Sequence, residues 1–293
     1  MGTVRVDRAA SRTMSKKERR ELRRERAREE RRRQARLRRR RRIVTWIVGA
    51  VGTVAVLVLV ATMIVSHIRE GMAGPANMAS DGLLWEGAGD GETFAAATTA
   101  ALDAGAEPTT NASDIASTGV LDLQIYLDPT DADSATFWTT HSADLEYYLQ
   151  QSAITLEVHP VSFDGSDASL AAVSAFGCVA DASPDLAWAY LGNLLGATAE
   201  GSAPAGDDLV DLAVEAEVGV ADTQDCISGG GFRSWASAAS DRAAESVPYA
   251  AEATAVDGAP VIVAAGQVYT GALDDADAFN TFLGEAYSAA VGE

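Results

Sequence analysis

The chain has 293 residues and a formal net charge of −19 at pH 7, and its charges are divided unevenly. Of the 23 Lys and Arg residues, 21 precede residue 70, whereas 35 of the 42 acids follow it, which indicates two parts in different surroundings. Three histidines and two cysteines without metal-ligand spacing argue against a zinc site, and we expect no metal and no cofactor.

Residues 1–42 form a basic tail with too few apolar residues to build a core. We expect it to be disordered or a solvated helix on the cytoplasmic side of a membrane. Its Arg-rich runs are suited to anionic lipid headgroups, although they can also serve only to fix the topology. Nucleic acid is not an expected partner, because no aromatic residue or motif accompanies the charge.

Residues 43–66 are 24 consecutive residues without a charge. As a helix they would span about 36 Å, which is enough to cross a hydrocarbon layer of about 30 Å. The basic residues before this segment and the acids after it predict a single-pass anchor in the cell membrane with the N-terminus inside. A cleaved signal peptide would have a shorter apolar core and an Ala-x-Ala site, and neither is present.

Residues 67–118 are rich in Gly, Ala, Thr, Ser and Asp, which predicts an extracytoplasmic linker. Residues 78–85 stand out within it and are expected to form a short strand at the edge of the domain. Asn111 begins a glycosylation sequon, which is a weak signal in such a stretch.

The compact domain is predicted at 119–293, and it begins with a strand, a helix and a second strand. Residues 121–127 alternate in polarity, residues 134–151 carry apolar side chains at helical spacing, and residues 154–159 alternate again. This order is typical of a βαβ unit with parallel strands. We expect His141 to pack in the core and His159 to lie on the polar, surface side of its strand.

A helical insertion follows at about 166–247, including a helix with Ser183 as its cap. Residues 261–270 are then expected to form a hairpin. The chain closes with a helix whose inner stripe has five members: Phe279, Phe282, Leu283, Ala286 and Ala290.

This order resembles a thioredoxin-like α/β fold with a helical insertion, as in membrane-anchored DsbA-like proteins of Gram-positive bacteria. The residues that carry the resemblance are Gly74-Pro75-Ala76-Asn77-Met78, Ser80-Asp81-Gly82, Leu123-Gln124-Ile125-Tyr126-Leu127-Asp128, Leu156-Glu157-Val158-His159-Pro160-Val161 and Gly258-Ala259-Pro260-Val261. The resemblance implies a thiol–disulfide oxidoreductase, whose Cys-x-x-Cys motif stands at the start of the first helix.

This chain departs from the family at that motif. The two cysteine positions correspond to Asp131 and Ser134, and the stretch reads Asp131-Ala132-Asp133-Ser134. Neither side chain can form a mixed disulfide, so dithiol exchange at this place is chemically impossible. Acids and Ser at a helix start cap its free N–H groups, and this stabilises the helix by about 1 kcal/mol. A divalent-cation site or acid–base catalysis by paired carboxylates has less support from the spacing.

Two further sites follow from the resemblance. It implies a structural disulfide between Cys178 and Cys226, with a displaced redox pair as the alternative. It also implies that Ala259, Pro260 and Val261 form the family's cis-proline turn, where an extended peptide docks. The same turn can instead be retained for structure alone.

Three functions stay open at this stage. The first is a redox-inactive module that binds exported or envelope proteins. The second is an oxidoreductase that assists disulfide formation in exported proteins, and the third is a structural envelope protein. The acidity of the outer part has two explanations, which are adaptation to high ionic strength and selection of a basic partner.

Overall fold

The computed structural model describes residues 73–111 and 115–292. The predicted basic tail at 1–42 and the predicted membrane helix at 43–66 lie outside these ranges. Within them, no helix is both long and apolar enough to cross a membrane.

The described part of the chain is mixed α/β. Its strands are β1 Leu83–Gly87, β2 Phe94–Ala96, β3 Leu121–Leu127, β4 Ile154–Pro160, β5 Val261–Ala264 and β6 Gln267–Val268. Its helices are α1 Ile115–Thr118, α2 Ala132–Gln150, α3 Asp167–Ala182, α4 Ala187–Ala199, α5 Asp208–Glu215, α6 Ala221–Gly229, α7 Arg233–Glu245 and α8 Ala276–Val291. The β-α-β, helical block, β-β, α order is the one that the sequence predicts.

The six described strands form one sheet in the order β2-β1-β4-β3-β5-β6. Strands β3 and β4 are parallel, with Leu121 opposite Ile154 and Leu127 opposite Pro160. Every other pairing in this sheet is antiparallel. The carboxyl ends of β3 and β4 therefore lie at the same end of the sheet, where α2 begins.

The sheet is covered on both faces. On one face, Phe137 of α2 and Phe279 of α8 pack edge to face in the main core, with their ring centroids 5.3 Å apart. On the other face, α7 and the chain after it cover a smaller apolar cluster around Tyr126 and Val263. All seven residues of β3 are buried as a result, although their alternation predicted one face less covered than the other.

The predicted linker was wrong for much of 73–111. Strand β1 is an internal strand between β2 and β4, and not an edge strand. Met78, Leu83 and Trp85 are buried in the main core, so the compact part begins well before residue 119. The Gly-, Ser- and Asp-rich flanks concealed this strand, because they are also the composition of a tether.

The helical block runs from Asp167 to Glu245 as α3 to α7. Ser166 caps α3 by accepting a hydrogen bond from Ser169 N. Ser183 stands at the N-cap position and Pro184 is the first residue of the turn, as predicted. The turn is a short 3-10 helix before α4, and the Ser183 side chain makes no cap hydrogen bond. A disulfide joins Cys178 of α3 to Cys226 of α6.

Candidate functional site

The junction between β3 and α2 contains the four residues Asp131-Ala132-Asp133-Ser134. Asp131 is the N-cap of α2, and its Oδ2 accepts a hydrogen bond from Ser134 N at 2.7 Å. Ser134 is fully buried, and its Oγ accepts from Asp128 N at 3.1 Å. Ala132 and Asp133 are exposed in the first turn. Asp131 and Ser134 therefore make hydrogen bonds to backbone N–H groups within the junction itself.

Asp128 ties this junction to the rest of the fold. Its side chain is only 3% exposed, and Oδ1 accepts from the backbone N and the Oγ1 of Thr130, both at 2.8 Å. Oδ2 accepts from Phe163 N at 2.9 Å and from Ser169 Oγ at 2.6 Å. Four hydrogen bonds occupy both oxygens, so this carboxylate holds the loop after β4 and the start of α3 against the junction.

The turn before β5 lies at the same end of the sheet. Val261 pairs with Tyr126 of β3, so the residues just before Val261 run alongside the β3–α2 junction. Ala259 is exposed, whereas Pro260 and Val261 are half-buried. The described residues contain no cis peptide bond, so the expected cis-proline was wrong. Gly258 makes the turn with a φ of +72°, which glycine adopts without strain, and the proline bond stays trans.

The two cysteines lie in the helical block and at neither of these places. Cys178 is 1% exposed and Cys226 is half-buried. They are the only two cysteines of the chain, and both are in the disulfide. No thiol therefore stands at the start of α2 or beside Pro260.

A second polar site lies on the sheet face that α7 covers. Glu157 of β4 is fully buried, and its Oε1 accepts hydrogen bonds from Ser80 Oγ and, at 2.8 Å, from Asn111 Nδ2. Its Oε2 lies 3.5 Å from His159 Nε2. Burial would raise the pKa of Glu157, but the proximity of His159 and the hydrogen bonds outweigh it and hold that pKa below its ordinary value.

His159 is 1% exposed, so its predicted position on the surface was wrong. Its ring stacks on Tyr126 with centroids 4.2 Å apart and planes at 7°, and Tyr249 lies 5.5 Å away. Gly82 packs against the same ring, since a Cβ added there would lie 2.7–2.8 Å from three ring atoms. The polar side of β4 is therefore covered by Gly82, which precedes β1, and by Tyr249, which follows α7.

Asp81 completes this site. It accepts from Trp235 Nε1 at 3.0 Å, and from Arg242 Nε and Nη2 at 2.7 and 2.8 Å. Arg242 is one of only two bases after residue 70. Around these groups lies a cavity of about 260 Å³, whose wall includes His159 and Tyr249. We call it the His159 cleft.

Sequence reasoning missed this site because its parts are distant in the chain. Ser80, Asn111, Glu157 and Tyr249 meet only in the folded molecule. Asn111 was noted as a sequon, yet its amide donates to Glu157 and its backbone N donates to Tyr249 Oη at 3.3 Å. The sequence feature that could have indicated this site is the pair Glu157 and His159, which are two positions apart and therefore lie on one face of β4.

Comparisons with known proteins give a likeness in fold. No family model and no curated protein matches the chain. The MdbA protein of Corynebacterium diphtheriae, a thiol-disulfide oxidoreductase, matches at 14% identity over 73% of this chain and 93% of its own, with a TM-score of 0.49. The MdbA protein of Corynebacterium matruchotii matches at 12% over 71% and 93%, with a TM-score of 0.47. The reduced DsbA of Mycobacterium tuberculosis matches at 17% over 70% and 99%, with a TM-score of 0.45. These scores lie below 0.5, so the proposals below rest on this chain's own residues.

Proposed function

We propose that this protein is a redox-inactive binding module that holds extended segments of exported or envelope proteins at the Ala259-Pro260-Val261 turn. The domain is displayed outside the cell membrane on the anchor at 43–66, and the basic tail contacts membrane lipid from inside. The observation that carries the proposal is the exposed backbone of this turn beside a helix start that has no sulfur.

The chemical groups at the helix start favour binding over catalysis. Thiol–disulfide exchange requires a thiolate that attacks a disulfide sulfur, and Asp131 and Ser134 supply none. Both side chains already make hydrogen bonds within the junction. Cys178 is nearly inaccessible within its disulfide, so an incoming thiolate has little access to that sulfur.

The backbone before β5 favours docking of an extended segment. Within the described residues, Asp257, Gly258 and Ala259 make no hydrogen bond through their backbone N–H or C=O groups, and all three are exposed. Strand β5 continues directly from them, paired with β3 and β6. Free main-chain groups that continue a sheet are the features that an added peptide strand uses.

A binding experiment with the full-length chain in detergent tests this proposal. The ligand is an extended, cysteine-free, fluorescently labelled peptide with alternating polar and apolar residues. Ala259→Pro removes one docking N–H, and we expect it to weaken binding about two- to tenfold, the value of one net hydrogen bond. Ala253→Pro is the matched control, because Ala253 is also exposed and its N–H makes no backbone hydrogen bond. Equal affinities of the two variants and the wild type would refute docking at this turn.

A further inference from the structure

We propose that the His159 cleft binds the side chain of a lysine or arginine from a protein partner. This site is separate from the Pro260 turn and goes beyond the function proposed above. Its wall combines a buried imidazole, aromatic and small apolar surfaces, and exposed carboxylates.

A buried imidazole lines the cleft. Both ring nitrogens of His159 are buried and make no hydrogen bond in the described part of the chain, although Nε2 lies 3.5 Å from Glu157 Oε2. In a neutral imidazole one ring nitrogen is a donor and the other an acceptor. Nε2 is the nitrogen that faces the Glu157 carboxylate, so Nδ1 is the acceptor that a ligand could use. Buried polar groups without partners are rare in folded proteins, and an incoming N–H donor would satisfy Nδ1.

The walls suit a flexible apolar stem that ends in a cation. Tyr126 and Tyr249 offer aromatic surface, and Val161, Ala239 and Ala243 offer aliphatic surface. The methylene groups of lysine and arginine pack on such surfaces, and aromatic faces attract the charged group. The volume of about 260 Å³ is several times the roughly 30 Å³ that a water molecule occupies in the liquid.

The charges around the cleft favour a cation over an anion. Arg242 is the one lysine or arginine in its lining, and two hydrogen bonds to Asp81 balance its charge. Glu107 and Glu245 also line the cleft and are exposed, and their side chains make no hydrogen bond or ion pair in the described ranges. Glu157 does not line the cleft, but it adds a buried carboxylate 3.5 Å from the His159 ring. The chain after residue 70 has 35 acids and 2 bases, so its overall field also attracts basic partners.

The lining of the cleft combines buried and exposed residues. His159 is 1% exposed, whereas exposed residues of two chain segments, 107–110 and 245–248, also line the cleft. A side chain that projects from the surface of another protein therefore has solvent-facing residues to pass and a buried imidazole to reach.

The test measures the affinity of the full-length chain in detergent for two short peptides. They are identical except for a central lysine or its uncharged isostere norleucine. We expect the lysine peptide to bind about tenfold more tightly, and we expect Glu107→Gln combined with Glu245→Gln to remove most of that preference. Glu215→Gln combined with Glu285→Gln is the matched control, because it makes the same change in net charge at exposed positions outside the cleft.

Each outcome decides the proposal. A tenfold preference that the cleft variant loses and the control keeps supports it. Equal affinity for the two peptides, absence of binding by both, or an equal loss of preference in the two double variants would overturn it. Ala259→Pro should leave the lysine preference unchanged, so that failure at the turn and failure at the cleft are distinguishable.

Discussion

Asp128 determines the geometry of the β3–α2 junction more than Asp131 and Ser134 do. Its two oxygens accept four hydrogen bonds, from Thr130, Phe163 and Ser169. By contrast, the cap made by Asp131 is local to one helix turn. The loop between β3 and α2 is therefore fixed by a buried carboxylate.

Asp128→Asn should therefore lower the free energy of unfolding by about 2–3 kcal/mol, because the amide nitrogen replaces one acceptor oxygen and leaves its donors unpaired. Asp133→Asn, at an exposed position in the same stretch, should change it by less than about 0.5 kcal/mol. Urea denaturation of both variants measures the difference. Similar stabilities of the two would show that Asp128 does not hold the junction.

Glu157 predicts a dependence of stability on pH. Its pKa in the folded protein is below the ordinary value, so the carboxylate contributes stability above about pH 4.5 and loses it as the pH falls through the lowered pKa. Glu157→Gln should therefore flatten the loss of stability on acidification, even if it is less stable at neutral pH. Thermal melts between about pH 6 and 3 measure the slope. An unchanged slope relative to wild type would contradict the assigned shift.

At the scale of elements, the disulfide connects α3 to α6 across 48 positions of sequence. In the chain-entropy model, a loop of this length contributes about 4 kcal/mol by restricting the unfolded chain. Cys178→Ala combined with Cys226→Ala should lower the free energy of unfolding by that amount, and reduction of the wild type should reproduce the loss. Oxidised wild type and the double variant melting at the same temperature would contradict this role.

The elements that the sequence predicts well are those with a clear period. Alternation predicts strands β3 and β4, and helical spacing predicts helix α2 and the inner residues of α8. The predicted and observed bounds agree within a few residues. Strand β1 was misjudged, because five residues inside a Gly-rich stretch carry no period that identifies an internal strand. The position of β1 is determined by its antiparallel pairing with β4, which is distant in the sequence.

The candidate site divides in the same way. The capped start of α2 is a local feature, and its residue types at the helix start indicate it directly. The His159 cleft assembles Ser80, Asn111, Glu157 and Tyr249 from four distant segments, so no local pattern contains it. The trans bond before Pro260 was also not predicted. The cis isomer was expected from the resemblance alone, whereas in the structure Gly258 makes the turn with a positive φ and the proline bond is trans.

At the scale of the whole molecule, the acids greatly outnumber their possible partners. After residue 70 the two bases are Arg233 and Arg242, which pair with Asp167 and Asp81. The remaining carboxylates repel one another over distances that salt screens, from about 30 Å at 0.01 M to about 3 Å at 1 M.

Stability should therefore rise with salt. We expect the melting temperature of the full-length chain to increase by several degrees between about 0.01 and 1 M sodium chloride, as screening reduces repulsion in the folded state. Sodium sulfate at matched ionic strength separates screening from salt effects on apolar burial. A melting temperature that does not rise would argue against adaptation to high ionic strength and leave selection of a basic partner as the explanation.

The most direct test of a module without thiol chemistry is an insulin-reduction and scrambled-substrate oxidation assay on the full-length chain. We predict no turnover above background, with Cys178→Ala and Cys226→Ala variants indistinguishable from wild type, because the start of α2 offers only carboxylate and hydroxyl groups. Turnover by the wild type that either substitution abolishes would contradict the account.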